Sequence, residues 1–235
     1  MKKIGIIGGM GPAATVDFLN KIISLTPANC DQDHIPLIVE MAPQIPDRTN
    51  YLLGRGADPL PYLQECCQKL ETSGAEAICM PCNTAHAFRL RMEELISVPI
   101  IDMIECTAKA VKTTVPSAKQ VMLLATNGTV QSKIYNNGFK NHALSVVAPP
   151  NIIQYQLMNI IDLVKAGDLD FAAAQFQGVL DKLHAFPFDA MVAGCTELPI
   201  LLPKIVSLKT IIDATNALAR GVVNFSKGTL DLNEC

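Results

Sequence analysis

Two cysteines occupy matching places in two similar segments of the chain, and together they could move a proton between the two faces of a carbon atom. Cys82 lies in "AEAICMPCNT" (75–84) and Cys195 lies in "FDAMVAGCTE" (188–197). Each follows an apolar run that predicts a buried strand and precedes a predicted helix start, where free N–H groups lower a thiol's pKa from about 8.5 toward neutrality. If the two thiols face each other, one thiolate removes a proton from carbon and the other thiol protonates the opposite face. Neither step requires a metal or a cofactor.

The sequence "CMPC" leaves two other interpretations of Cys79 and Cys82 open. A redox pair is one, because the motif follows a predicted strand and opens a predicted helix. Half of a zinc site is the other, although no third or fourth ligand completes it. In the second segment Val192 holds the place of Cys79, so we expect Cys79 to be a buried core thiol and no metal to be bound. His86 could tune the Cys82 thiol or serve equally well as a capping or core residue.

The glycine-rich turn after the first apolar run fits a different kind of site. Residues 9–14, "GMGPAA", match a dinucleotide fingerprint, with Glu40 as the acidic partner. A nicotinamide-dependent dehydrogenase would leave the paired cysteines unexplained, and a short turn of this kind binds a carboxylate as readily as a pyrophosphate. Pro12 also suits the first position of a helix. A carboxylate-binding turn is therefore the favoured interpretation, with the dehydrogenase as the alternative.

Short apolar runs alternate with periodic, helix-like segments along the whole chain. The predicted strands are 3–8, 36–41, 75–80, 98–102, 120–125, 143–148, 189–194 and 210–213. The predicted helices are 12–25, 58–73, 84–96, 103–113, 152–166, 169–184 and 214–225. This pattern is typical of an α/β fold in which helices cover both faces of parallel sheets.

The chain also repeats itself. Three pairs of segments recur in the same order: 4–12 with 121–129, 75–84 with 188–197, and 99–105 with 210–216. We infer two similar α/β lobes, residues 1–115 and 116–235, related by a pseudo-twofold axis. The C-terminal helix could cross over to the first lobe. A site built from both repeats would lie in the cleft between the lobes.

Composition restricts the possible partners. The 235 residues are 49% apolar and 17% charged, with a net charge of −3, no tryptophan and no basic run, so we exclude nucleic acid. No apolar run reaches the roughly eighteen residues of a membrane-spanning helix, and glycines interrupt the N-terminal apolar stretch where a signal peptide needs continuity. Eight cysteines in such a chain indicate buried thiols and one or two reactive ones. We expect a cytoplasmic protein with no membrane partner.

Six segments carry a resemblance to a known family. They are "IGIIGGMGP" (4–12), "PQIPDRT" (43–49), "MPCNTAH" (80–86), "LLATNGT" (123–129), "VKAGDL" (164–169) and "AGCTELP" (193–199). Extending over nearly the whole chain, they resemble the cofactor-independent aspartate/glutamate racemases, with the aspartate racemase-like amino-acid racemases looking closest. The resemblance implies two Rossmann-like lobes with the active site between them, a homodimer, no cofactor, and racemisation of a small acidic amino acid by a cysteine pair.

The resemblance also implies roles for single residues. Cys82 and Cys195 become the two bases, Cys82 for the D-isomer and Cys195 for the L-isomer. Arg48 and Lys165 match positions that bind substrate carboxylate, whereas their spacing alone indicates a surface ion pair and a helix-end cation. Groups at the predicted helix starts would hold the carboxylates: Met10, Gly11, Asn83, Thr84, Thr126 and Thr196. Two alternatives stay open, a broad-specificity racemase of neutral amino acids and a non-catalytic amino-acid-binding protein on the same scaffold.

Overall fold

The chain forms two parallel sheets in a computed structural model that describes residues 1–229; Cys235 and the end of the second predicted lobe lie outside the described residues. The strands are β1 (Ile4–Gly8), β2 (Leu37–Met41), β3 (Ala77–Cys79), β4 (Gln120–Leu124), β5 (Ser145–Val147), β6 (Ala190–Ala193) and β7 (Ile211–Asp213). They form a sheet in the order β2-β1-β3 and a sheet in the order β5-β4-β6-β7. The predicted α/β fold with two parallel sheets is confirmed.

Helices separate the strands. They are α1 (Pro12–Leu25), α2 (Arg48–Leu52), α3 (Leu60–Thr72), α4 (Arg89–Glu93), α5 (Met103–Thr114), α6 (Asn127–Ser132), α7 (Ile134–Phe139), α8 (Asn151–Lys165), α9 (Leu169–Leu183) and α10 (Ala214–Ser226). Short 3-10 helices span Asp31–Asp33, Thr84–Phe88, Lys140–His142 and Leu198–Lys204. Six of the seven predicted helices agree within two residues. The predicted helix 84–96 is wrong in type, because the turn after Cys82 tightens into a 3-10 helix before the short α4.

Each sheet is covered on both faces, as its continuous apolar strands require. All five residues of β1 are buried. Ile6 packs with Phe18 of α1 on one face, and Ile7 packs with Leu63 and Leu70 of α3 on the other. A strand buried on both sides places its carboxyl end at a fixed edge of the sheet, and the glycine-rich turn begins there.

The predicted strand 98–102 does not form. Ile100 makes a single parallel bridge to Ile78. Two backbone hydrogen bonds hold the segment against β3: the Ile78 N–H donates to the Pro99 carbonyl oxygen at 2.9 Å, and the Ile101 N–H donates to the Ile78 carbonyl oxygen at 2.8 Å. Pro99 has no N–H to extend the ladder. The first sheet therefore stops one strand short of the second, whose matching strand is β7.

Two helices pack on the sheet opposite to the one they follow. α5 buries Ile104 and Val111 in the same cluster as Val121 and Leu123 of β4. α10 buries Leu218 and related apolar residues against β1 and α1. Both helices start at matching aspartates, since Asp102 accepts a hydrogen bond from the Ile104 N–H at 2.7 Å and Asp213 from the Asn216 N–H at 3.0 Å. This exchange of helices ties the two halves together.

A second contact between the halves lies closer to the cleft. The short helices α2 and α6 pack against each other, and Gly128 of α6 makes the approach possible. A Cβ added to Gly128 would lie 2.7 Å from the Thr49 Cα, too close for any side chain. The contact brings Arg48, which begins α2, up to the second half of the molecule.

Candidate active site

The carboxyl ends of strands from both sheets enclose a small cavity of about 20 Å³. Its lining residues come from both halves of the chain: Met10, Asp47, Arg48, Thr49, Cys82, Asn83, Thr84, Thr126, Lys165, Cys195, Thr196 and Glu197. Nine of the ten predicted site residues are among them. The tenth, Gly11, adjoins the lining, since a Cβ at Gly11 would lie 3.3 Å from Glu197 Oε1.

Both predicted cysteines reach this cavity from equivalent turns. Cys82 lies between β3 and the 3-10 helix Thr84–Phe88, and Cys195 lies between β6 and the 3-10 helix Leu198–Lys204. Each is 5% exposed. Cys79, in contrast, lies within β3 and is fully buried in the core, where desolvation raises the pKa of its thiol. The prediction that Cys79 is a core residue is confirmed.

The Cys195 turn contains a buried carboxylate. The Cys195 thiol donates a hydrogen bond to Glu197 Oε2 at 2.9 Å, and the Thr196 hydroxyl donates to the same oxygen at 3.3 Å. Burial, together with the negative charge of Glu197, raises the pKa of Cys195 well above its usual value. Cys195 is therefore a thiol, not a thiolate, at neutral pH. From the sequence, Glu197 is expected beside Thr196 as a capping residue of this turn, but it is not in the predicted substrate-binding set.

Three buried threonine hydroxyls join the two halves beside the cysteines. Thr84 Oγ1 lies 3.0 Å from Thr126 Oγ1 and 2.8 Å from Thr129 Oγ1, and the last two are 3.1 Å apart. Three hydroxyl protons suffice for these three contacts. Thr126 also accepts a hydrogen bond from the Thr129 N–H at the start of α6. Thr84 and Thr126 thus lie in the site as predicted, but their hydroxyl groups already bind one another.

Asn83 is held by a tyrosine from the other half of the chain. The Tyr135 hydroxyl of α7 donates to Asn83 Oδ1, and Tyr135 is fully buried, which raises the pKa of its phenol and keeps it protonated. Asn83 Nδ2 is buried and has no hydrogen-bond partner among the described residues. The tyrosine therefore leaves the amide N–H groups of Asn83 available as donors. No sequence signal links residues 83 and 135.

The two predicted carboxylate-binding cations, Arg48 and Lys165, both line the cavity. Arg48 donates to the carbonyl oxygens of Ile45 and Pro46 at 3.1 and 3.2 Å, and its buried Nε has no partner among the described residues. Neither Arg48 nor Lys165 forms an ion pair with a described residue. Asp47 instead caps α2, accepting from the Asn50 N–H at 2.7 Å. The surface ion pair that spacing alone indicates for Arg48 is absent from the described residues.

Lys165 ends α8 and its side chain is exposed at the rim of the cavity. Partial desolvation, the largest single influence, lowers the pKa of Lys165, but the negative groups around it, Glu197 first among them, together outweigh the desolvation and raise the pKa. The ammonium group is therefore charged throughout the neutral range. Arg48 and Lys165 thus place two cationic groups at the cavity, beside the carboxylates of Asp47 and Glu197.

His86 supports the Cys82 turn from behind. Its Nε2 accepts a hydrogen bond from the Met103 N–H at 3.1 Å, so the proton lies on Nδ1, which donates to the Cys82 carbonyl oxygen at 2.9 Å. Burial lowers the pKa of His86, and the ring is neutral. His86 contacts the backbone of Cys82 and the start of α5, so of the two alternatives the structure favours the capping or core role.

The glycine-rich turn belongs to the same site. Met10 lines the cavity, while Glu40, the acidic residue of the dinucleotide alternative, pairs with Lys69 at 3.5 Å. Among residues 1–229, no group of three or more His, Cys, Asp or Glu side chains could hold a metal ion. None of the described helices has the length and apolarity needed to cross a bilayer.

The fold and the site are thus two α/β halves that place one cysteine each in a shared cavity, next to two cations that form no ion pair with a described residue. A family model for Asp/Glu/hydantoin racemases matches residues 7–222. The chain belongs to this family, which confirms the predicted resemblance and the predicted enzyme class, a racemase.

Individual relatives agree with the family. The aspartate racemase of Picrophilus torridus has a structure with a TM-score of 0.84 and 33% identity, covering 100% of this chain and 97% of its own. The broad specificity amino-acid racemase RacX of Bacillus subtilis is 29% identical over 94% of this chain and 96% of its own length. The glutamate racemase RacE1 of Bacillus anthracis shares the fold, with a TM-score of 0.70 and 21% identity over 98% of this chain and 84% of its own.

Proposed function

We propose that the protein interconverts the enantiomers of a small acidic amino acid, aspartate or glutamate, by two-base proton transfer between Cys82 and Cys195 without a cofactor. The observation that carries the proposal is that matching turns of two repeated halves bring one thiol each to a single cavity. One sulfur, as thiolate, takes the α-proton. The other sulfur gives its proton to the opposite face of the carbanion, so that the two sulfurs exchange their ionisation states in each turnover.

The environment of Cys195 supports an order of events. Its hydrogen bond to Glu197 and its raised pKa hold it as a thiol, which is the form required of the acid. Cys82 then acts first as the base in the resting enzyme. If Cys82 serves the D-isomer, as the family resemblance implies, the resting enzyme is set to convert the D- to the L-isomer and must reset before the reverse turnover.

The charges of the cavity support an acidic substrate. Aspartate and glutamate each carry two carboxylates, and Arg48 and Lys165 are two cations without ion-pair partners among the described residues. Asn83 Nδ2 supplies a further donor, and the backbone N–H groups near Met10, Gly11 and Thr196 are proposed to complete the carboxylate sites. A neutral amino acid would leave one cation unpaired. The similarity to RacX nevertheless makes racemisation of neutral amino acids the second candidate function.

The size of the cavity indicates that the cleft opens for the substrate. About 20 Å³ accommodates roughly one water molecule, and no amino acid fits. We propose that the two sheets, each moving together with the helix that packs on it from the other half of the chain, open at the cleft for entry and close again around the bound amino acid. Closure excludes water and strengthens the electrostatic interactions of the thiolate with the substrate.

We include a homodimer and a cytoplasmic location in the proposal. The family resemblance supports the dimer, and light scattering of the purified protein would test it. Six cysteines in the described part of the chain are free thiols, and one of them, Cys30, is exposed. Free thiols of this kind are typical of a reducing compartment.

The test of the proposed function is hydrogen exchange at Cα. The purified protein is incubated in deuterated water, without any added cofactor, with L- or D-aspartate and with L- or D-glutamate. Proton NMR should show loss of the α-proton signal, and chiral chromatography should show the racemate. A panel of neutral amino acids distinguishes the second candidate. Absence of exchange with every amino acid of the panel would refute a racemase of amino acids.

A further inference from the structure

The two-base scheme uses only one oxygen of the buried carboxylate Glu197, the Oε2 that holds Cys195 as a thiol, and gives its other oxygen no role. Glu197 is 4% exposed and lines the cavity. Its Oε2 accepts hydrogen bonds from Cys195 and Thr196, whereas its Oε1 is buried without a partner among the described residues. An ionised oxygen without a partner is costly to bury. This open oxygen therefore indicates a cationic or hydrogen-donating group that arrives with the substrate.

The charges around the cavity indicate which substrate group contacts Glu197 Oε1. Arg48 and Lys165 are the cations of the lining, and Asp47 and Glu197 are the carboxylates. Asp47 is exposed and caps α2, so Glu197 is the buried anion. Neither lining cation forms an ion pair with it within the described residues. An acidic amino acid carries two carboxylates and one ammonium group, which complements two cations and one buried anion.

We infer that Glu197 binds the α-ammonium group of the substrate through Oε1. The inference rests on the proposed function and deepens it, because it defines the ligands of the site as α-amino acids rather than the corresponding hydroxy acids or plain dicarboxylates. The two thiols must be a symmetrical pair, since Cα is approached from both faces. The substrate has only one ammonium group, so only one half of the site requires an anion to bind it.

The sequence repeat agrees with an ammonium-binding anion in only one half of the site. In the alignment that pairs Cys82 with Cys195, the residue opposite Glu197 is Thr84, whose hydroxyl is bonded to Thr126 and Thr129. The first half thus carries no buried carboxylate at the equivalent place. When the ammonium group binds, it offsets the negative charge beside Cys195. A Cys195 thiolate can then form in the complex more easily than in the free enzyme, as the reverse turnover requires.

The experiment compares ligands that differ only in the ammonium group. Calorimetric titration measures the binding of DL-aspartate, of DL-malate, in which a hydroxyl replaces the ammonium group, and of succinate, in which hydrogen replaces it. The aspartate is used as the racemate so that turnover does not change its composition. The same titrations are made with Glu197→Gln, and with Asp47→Asn as the matched variant of the other lining carboxylate.

We expect the wild-type protein to bind aspartate more tightly than malate or succinate. Glu197→Gln should weaken aspartate binding at least about tenfold, as loss of a buried charge partner does, while the affinity for succinate stays equal or rises. Retained succinate binding also shows that the variant is folded. An unchanged ratio of aspartate to succinate affinity in Glu197→Gln would overturn the inference. Collapse of that ratio in Asp47→Asn alone would assign the ammonium group to Asp47 and overturn it as well.

Failure of the wild-type protein to bind aspartate is a separate outcome. If aspartate does not bind but alanine binds better than propionate, and Glu197→Gln removes that difference, the role of Glu197 stands and the acidic specificity does not. If no amino acid binds the wild-type protein better than its deaminated counterpart, both proposals are refuted.

Discussion

The turn that carries Cys82 and the turn that carries Cys195 share a backbone plan and differ in their neighbours. Both follow a strand of a parallel sheet, β3 at the edge of the first sheet and β6 in the interior of the second, and both lead into a 3-10 helix. Around Cys82 lie Asn83, which Tyr135 holds in place, and His86, which binds the turn's backbone. Around Cys195 lie Thr196 and the carboxylate of Glu197. The proposed reaction approaches one carbon from two faces and therefore requires the repeated thiol. The substrate's other groups have no such symmetry and require different neighbours.

The largest expected effect tests whether the two thiols are equivalent in the reaction. Cys82→Ser and Cys195→Ser should each lower racemisation by about 1,000-fold or more, because a serine hydroxyl replaces an acid/base group. Each variant should still exchange the α-proton of the one enantiomer that faces its remaining thiol. NMR in deuterated water, with each enantiomer separately, measures this.

The matched control for the cysteine variants is Cys79→Ala, which removes a core thiol outside the cavity and should leave racemisation near the wild-type rate. Equal loss of racemisation in a folded Cys79→Ala protein would contradict the division of roles between the cysteines. Exchange of the L-isomer by the variant that keeps only Cys82 would reverse the assignment of the enantiomers.

The next effect concerns the Cys82 half alone. Tyr135→Phe removes the hydroxyl that orients Asn83 and leaves the Asn83 Oδ1 without that donor, a change that typically costs about 1–3 kcal/mol. We expect kcat/KM for the amino-acid substrate to fall by about 5- to 150-fold, mostly through a rise in KM. Steady-state kinetics in both directions would measure it.

Phe139→Leu is the control for Tyr135→Phe, because the Tyr135 and Phe139 rings pack edge to face with centroids 5.2 Å apart. This variant disturbs the same packing and keeps the tyrosine hydroxyl. It should lower thermal stability with little effect on KM. If the two variants change KM to the same extent, the hydrogen bond to Asn83 has no separate role.

The sequence predicted the positions that depend on chain order, and it could not predict those that depend on side-chain geometry. The repeat and the strand ends located Cys82 and Cys195, since both follow from local patterns. The open oxygen of Glu197 and the Tyr135 contact to Asn83 arise from packing between distant segments. Periodicity also showed that α5 has an apolar face but not that this face packs on the second sheet. The error at strand 98–102 came from treating Pro99 as an ordinary strand residue.

His86 gives the two halves a different response to pH. The folded protein holds His86 neutral with a lowered pKa, while in the unfolded chain its pKa is about 6.5. The unfolded state therefore binds more protons below that pH, and stability falls as the pH decreases from about 6.5 toward the folded-state pKa. The slope from this residue is up to about 1.4 kcal/mol per pH unit.

Urea denaturation between pH 7.5 and about pH 5 would measure this slope in the wild-type protein and in His86→Gln, which cannot titrate. The variant should be less stable at neutral pH and should lose less stability on acidification. The residue equivalent to His86 in the second half is Pro199, which does not titrate, so that position adds no pH dependence to the stability. Parallel stability curves for the two proteins would show that His86 is not responsible for the acid sensitivity.

The smallest expected effect compares the two cations that are proposed to bind the substrate's carboxylates. Arg48 is half-buried and anchored to two carbonyl oxygens, whereas Lys165 is exposed at the rim. An exposed cation contributes on the order of 1 kcal/mol to binding an anion, so Lys165→Gln should raise KM for aspartate about fivefold with little change in kcat. Because salt screens exposed charges, the wild-type advantage should shrink in about 0.5 M NaCl. An effect of Lys165→Gln that is the same at both salt concentrations would mean that the cleft closes over Lys165 and that the two halves hold the substrate with equally buried cations.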